Sequence, residues 1–131
     1  MNGTAEALPP IQMLWAEGRL SRLERLSMAS FLACGHPVDL YTYGLDSAPP
    51  AGVTVRDAAA IMPRSKRFRH SGGMGYGSWA PFSDMFRFAL LYECGGIWCD
   101  TDMVCLKPLL FARDMPVFFS SELATENVGG K

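Results

Sequence analysis

The sequence predicts an α/β fold: a sheet with helices packed on it. Three observations predict it. Short apolar runs rich in β-branched and aromatic residues alternate along the chain with stretches whose apolar positions recur at helical spacing. Glycine or proline marks each change of period, as at Gly35, Pro37, Gly44 and Gly95-Gly96. The order is strand, helix, strand, strand, helix, strand, which builds a sheet covered by helices.

The first strand is expected at Ile11–Trp15, a compact apolar run broken by Gly18. A helix follows. Ser21-x-x-Glu24 has the form of a capping box, in which the hydroxyl takes a backbone N–H and the carboxylate reaches back. Leu20, Leu23, Leu26 and Phe31 make one stripe, Gly35 suits a left-handed end, and Pro37 prevents continuation. Val38–Tyr43 alternates and reads as a second strand, with Pro49-Pro50 marking Gly44–Gly52 as a loop. Val53–Val55 is a third short strand.

Residues 63–82 are first basic and then glycine-rich, a long loop of the kind that is functional or mobile. Ser83 is placed to cap a second helix running to about Cys94, where Gly95-Gly96 stops it. Ile97–Cys99 is a brief strand that runs into Asp100-Thr101-Asp102. Val104–Leu110 is apolar but interrupted by Lys107-Pro108, and Val117–Phe119 is the last strand candidate. The tail Glu126–Lys131 contains no evident closing element.

A chain of 131 residues suits one domain, 1–131, and 49% hydrophobic residues exclude a disordered chain. Twelve basic against thirteen acidic residues exclude a general electrostatic pull toward nucleic acid or anionic lipid. No apolar run reaches the roughly 20 residues of a membrane span. The first ten residues lack the basic and apolar regions of a signal peptide. Cys34, Cys94, Cys99 and Cys105 form no C-x-x-C pair, so they are read as reduced core thiols of a cytoplasmic protein.

The chemistry centres on Asp100-Thr101-Asp102. In an extended chain, side chains at i and i+2 share one face. The two carboxylates would emerge at the carboxyl end of a strand, where open α/β sheets bind ligands. Hard oxygen donors there suit Mg²⁺ or Mn²⁺, which also accept diphosphate oxygens. The competing reading of the same residues is a solvated turn. Asp84 and Arg87 stand three apart on one face of the second helix, either as a surface ion pair or as groups that hold sugar hydroxyls and phosphate. Arg64, Lys66, Arg67, Arg69 and His70 crowd the start of the long loop. Composition favours a solvated flexible loop there, with a lid over phosphates as the alternative.

Taken together, the run Ser83-Asp84-Met85-Phe86-Arg87 through the helix to Gly95-Gly96-Ile97-Trp98-Cys99-Asp100-Thr101-Asp102 resembles the DXD-containing sugar-binding region of a glycosyltransferase family. That family includes α-1,4-galactosyltransferases, outer-chain mannosyltransferases, capsular polysaccharide transferases and glucosylating toxins. Lys107-Pro108-Leu109 also fits, and the likeness covers roughly residues 10–120.

The resemblance implies a GT-A-type, Rossmann-like nucleotide-binding fold and metal-assisted sugar transfer from a UDP- or GDP-sugar, with retention of anomeric configuration. It implies that Asp102 coordinates Mn²⁺ or Mg²⁺, that Asp100 supports the metal and holds ribose or sugar, and that Asp84 and Arg87 hold the donor sugar. It places Trp15 against the base and Trp98 near the donor. A glycan, lipid-linked or protein acceptor is left open. Family catalytic domains run longer, so the resemblance also implies that this chain is the N-terminal part of one, with a non-catalytic donor-binding module as the alternative. A haloacid-dehalogenase-type phosphatase, with Asp100 as nucleophile, is a further alternative that the late position of the motif disfavours.

Overall fold

The computed structural model describes residues 7–74 and 76–120. Four strands make one parallel sheet: β1 (Ile11–Leu14), β2 (Val38–Thr42), β3 (Val53–Asp57) and β4 (Ile97–Trp98), in the order β3-β2-β1-β4. Two helices flank it, α1 (Arg22–Ala33) and α2 (Ala80–Cys94). The expected α/β class and its element order are both present. The sheet order is that of a Rossmann-like nucleotide-binding domain, the kind of sheet on which a GT-A fold is built.

Because β1 lies between β2 and β4, all four of its residues are buried. Its alternation sends Ile11 and Met13 to one face, where they meet Met28 and Phe31 of α1 and Val38 and Leu40 of β2. Leu14 goes to the other face, with Tyr41, Tyr43 and the α2 residues Phe82, Phe86 and Leu90. The two helices therefore cover opposite faces; of the stripe expected on α1, Phe31 is buried together with Leu20 just before it, whereas Leu23 and Leu26 turn away from the sheet and are about half exposed, and Met28 packs in the core instead.

The capping box of α1 forms as its spacing implies. Ser21 Oγ accepts the Leu23 N–H at 3.2 Å, and Glu24 Oε2 accepts the Ser21 N–H at 2.7 Å. α2 departs from expectation at its start. It begins at Ala80, three residues before Ser83, with Pro81 in the first turn and the Ala80 N–H bonded to Ser78 Oγ at 3.0 Å. Proline suits a first turn, whose N–H groups have no partner within the helix. Ser83 is thus inside the helix, its own N–H donating to the Trp79 carbonyl.

Val117–Phe119 does not form a strand. Among the described residues no strand pairs with it, and Val117 and Phe119 are largely exposed. Phe118 instead packs edge-on against Phe111 at 5.0 Å. The tail from Glu126 lies outside the described residues.

The segment after Asp102 is held against α1 by polar bonds. Ser27 Oγ donates to the Met103 carbonyl at 2.6 Å, and the Cys105 N–H donates to Ser30 Oγ at 2.8 Å. Buried His36 completes the strap. Its Nε2 accepts the Leu109 N–H at 3.0 Å, so its Nδ1 carries the proton that bonds the Pro9 carbonyl at 2.9 Å.

Candidate active site

The sheet reverses its direction of growth at β1. From there β2 and β3 are added on one side and β4 on the other. The crevice between the carboxyl ends of β1 and β4 is therefore a topological switch point, where open α/β sheets bind ligands.

A cleft of about 400 Å³ lies at this point. Its walls come from residues 14–17 after β1, from Trp98 and residues 100–102 at the end of β4, from the first turn of α1, and from Trp79, Ala80, Ser83 and Asp84 at the start of α2. The volume falls in the range of about 300–1,000 Å³ common for small-molecule sites.

Of the six residues singled out in the sequence, five line this one cleft: Trp15, Asp84, Trp98, Asp100 and Asp102. Arg87 is the exception. Its guanidinium pairs with Asp84 Oδ1 at 3.4 Å and lies over the Phe88 ring, so it stands behind Asp84 rather than in the wall.

The acidic pair is aimed by its neighbours. Trp98 packs on Phe86 of α2, and its indole N–H donates to Asp100 Oδ1 at 3.0 Å. Before it, the Gly-Gly break anchors β4 to the centre of the sheet. Buried Gln12 of β1 donates to the Gly95 carbonyl at 2.8 Å, and the Cys99 N–H donates to the Gln12 carbonyl. A Cβ on Gly96 would stand 2.5 Å from the Gln12 amide nitrogen. Gly95 has φ 63° and ψ −152°, a region that essentially only glycine enters. Cys99, between these glycines and the acids, has its thiol pushed up to about 12, first by burial and then by the charges of Asp100 and Asp102. It stays a neutral core thiol.

Trp15 is half-buried, and its indole N–H is buried without an acceptor among the described residues.

The basic loop is not a free, solvated segment. Arg67 Nη1 donates to Glu17 Oε2 at 2.8 Å, and Arg69 pairs with the other oxygen at 3.3 Å. Arg69 stacks on Trp79 at 4.6 Å, while Arg64 bonds the Tyr43 carbonyl and, like Arg67, lies over the Tyr43 ring. The Arg67 hydrogen bond is the main cause that holds the Glu17 carboxyl below its ordinary value; burial opposes it, and the Arg69 hydrogen bond and the charges of both arginines add to the lowering. Glu17 and Trp79 both line the cleft and were missed in the sequence. An acid three residues past a strand end was the available signal for Glu17; Trp79, beside a glycine-rich stretch, offered none.

Residues 66–124 match the family described as the glycosyltransferase sugar-binding region containing the DXD motif. Residues 66–124 are thus similar to that sugar-binding region, over somewhat less than half of the chain. No curated protein and no solved structure matches the chain. The family match takes in the basic loop from Lys66 onward, α2, β4 and the acidic pair, and so supplies every wall of the cleft except those following β1 and starting α1. The match supports glycosyltransferase-related nucleotide-sugar binding, and families with the DXD motif typically use a divalent metal. Among the described residues, no three His, Cys, Asp or Glu side chains group closely enough to hold a metal by themselves. No helix among them is long and apolar enough to cross a membrane.

Proposed function

We propose that this domain binds a nucleotide diphosphate sugar, UDP- or GDP-linked, at the switch-point cleft, as the donor half of a metal-dependent hexosyltransferase. One observation carries the proposal: Trp15, Asp84, Trp98, Asp100 and Asp102, drawn from three separated parts of the sequence, line a single cleft of ligand size.

The donor set suits Mg²⁺ or Mn²⁺ of the kind that is shared with a phosphate ligand. Such ions are commonly held by one or two carboxylates and complete their shell with phosphate oxygens and water. Asp102 is the direct ligand in this reading. Asp100, with one oxygen held by Trp98, supports it with the other. When bound, the cation supplies Lewis-acid stabilisation of charge growing on the leaving diphosphate.

The protein's own groups do the rest. Trp15, in the cleft wall after β1, offers an apolar face to the base. Asp84 accepts hydroxyl hydrogen bonds from the sugar, and Arg87 fixes the Asp84 carboxylate while adding positive charge behind it. The proposal includes retention of anomeric configuration, as the family likeness implies. It also places this domain in a longer glycan- or polysaccharide-building transferase of the cytoplasm; four free thiols suit a reducing compartment.

A thermal-shift screen of UDP- and GDP-sugars with and without Mn²⁺ tests this, because a ligand of the folded state raises Tm. The expected result is a shift that needs both metal and nucleotide and is lost in Asp102→Asn. A shift that is unchanged in Asp102→Asn contradicts the assignment.

A further inference from the structure

Two of the four thiols meet outside the donor cleft. Cys34 is the C-cap of α1, and Cys105 stands three residues past Asp102 in the strap held against that helix. Ser30 fixes both backbones. Its carbonyl accepts the Cys34 N–H at 3.1 Å, and its hydroxyl accepts the Cys105 N–H at 2.8 Å. Cys34 Sγ donates to the Cys105 carbonyl at 3.7 Å. The two residues are 71 apart in sequence, so the fold and not the local chain brings them together.

The other two cysteines are placed differently. Cys94 is exposed at the end of α2. Cys99 is buried and donates to the Asp100 carbonyl at 3.4 Å.

Within the pair the thiols are unequal. Cys34 is partly exposed and Cys105 is buried. Burial, and then the neighbouring Cys34 thiol, push the Cys105 thiol up. An oxidant in solution therefore meets Cys34 first, because attack needs an accessible thiolate.

We infer that Cys34 and Cys105 are a modification site, forming a reversible disulfide that staples the strap after the acidic pair to the end of α1. The oxidant is a small-molecule disulfide of the glutathione class. The Cys34 thiolate attacks one sulfur of oxidised glutathione, and one glutathione leaves as its thiolate. Cys105 then gives its proton to water and attacks the Cys34 sulfur of the mixed disulfide, releasing the second glutathione. Two protein thiols are oxidised to one disulfide while one small disulfide is reduced to two thiols, and excess thiol reverses the exchange. In the reduced protein the strap is held to α1 by hydrogen bonds of Ser27 and Ser30. The covalent bond adds a constraint on the unfolded chain, because it closes a long loop. This inference stands apart from the donor assignment.

The test uses the full chain carrying Cys94→Ser, which removes the exposed thiol. It is incubated with oxidised glutathione and digested, without reductant, on the amino side of aspartate. Cleavage before Asp39, Asp84, Asp100, Asp102 and Asp114 puts Cys34, Cys99 and Cys105 on three separate peptides. Mass spectrometry should find the Cys34 peptide joined to the Cys105 peptide, and dithiothreitol should separate them. The oxidised protein should melt about 5 °C or more above the reduced one. In Cys105→Ala, Cys34 should keep one glutathione as a stable mixed disulfide. In Cys34→Ser, Cys105 should remain a free thiol.

A link from Cys34 to Cys99 overturns the inference. So does a glutathione that stays on Cys34 while Cys105 is present, or a failure of both cysteines to oxidise. An oxidised form that melts no higher than the reduced one overturns the staple. The link is mapped with both cysteines in place, so the main result does not depend on either variant folding.

Discussion

Trp98 donates its indole N–H to Asp100 Oδ1 across 3.0 Å. The two residues are i and i+2 at the end of β4, so the same alternation that puts both on one face also lets the ring orient the acid. One Asp100 oxygen is thereby fixed and the other left for a ligand. Trp98→Phe keeps the ring contact with Phe86 and removes the N–H. We expect a folded protein with nearly unchanged Tm whose metal-dependent nucleotide affinity falls by about three- to tenfold, the worth of one hydrogen bond to a charged group positioned by the protein. Calorimetry on the variant checks it.

Gly96 meets the Gln12 amide so closely that any side chain forces Gln12 off the Gly95 carbonyl. Its φ of 87° adds backbone strain for any other residue. Gly96→Ala should cost about 2 kcal/mol or more, the sum of the strain and a buried hydrogen bond. Chemical denaturation measures it, and an alanine variant as stable as the parent would show that β4 is not anchored in this way.

Ser27 is fully buried, and its hydroxyl supplies the Met103 carbonyl with a hydrogen bond one residue past Asp102. Ser27→Ala should destabilise by about 1–2 kcal/mol. For a domain of this size that is a fall in Tm of about 5 °C or more. Because the strap that it loosens begins at the acidic pair, nucleotide affinity should fall with it.

Glu17 holds two arginines of the loop 50 and 52 residues away. Its folded-state carboxyl is lowered below the ordinary value, the Arg67 hydrogen bond being the first cause. The clamp's contribution is therefore complete above the unfolded value of about 4.5 and is lost as pH falls through the lower folded value. At neutral pH, Glu17→Gln should hasten tryptic cleavage after Arg64, Lys66, Arg67 and Arg69 relative to the parent. Equal cleavage rates would mean that the loop is held by the aromatic faces of Tyr43 and Trp79 alone.

What the sequence made legible was local. The Ser21–Glu24 capping box, the apolar run at Ile11 and the Gly95-Gly96 stop are each decided within a few residues, and each stands where its chemistry puts it. The start of α2 was misplaced because a capping serine and a first-turn proline are both valid starts, and Pro81 prevailed over Ser83. Val117–Phe119 has strand composition but no strand to pair with among the described residues, and pairing is not a local property. The Glu17 clamp was invisible for the same reason: composition showed five cationic groups and nothing of the carboxylate that waits across the fold. The acidic pair was the opposite case, because strand, glycines and acids are contiguous from Gly95 to Asp102.

The most direct test of the central claim is the affinity of the chain for Mn²⁺ measured by calorimetry with and without saturating UDP or GDP. Two carboxylates without a third protein ligand among the described residues should bind the ion weakly alone. A diphosphate in the same cleft should tighten it at least tenfold, with the ion tightening the nucleotide by the same factor. Asp102→Asn should erase that coupling. An Mn²⁺ affinity indifferent to either nucleotide, or a coupling that persists in Asp102→Asn, would contradict the account.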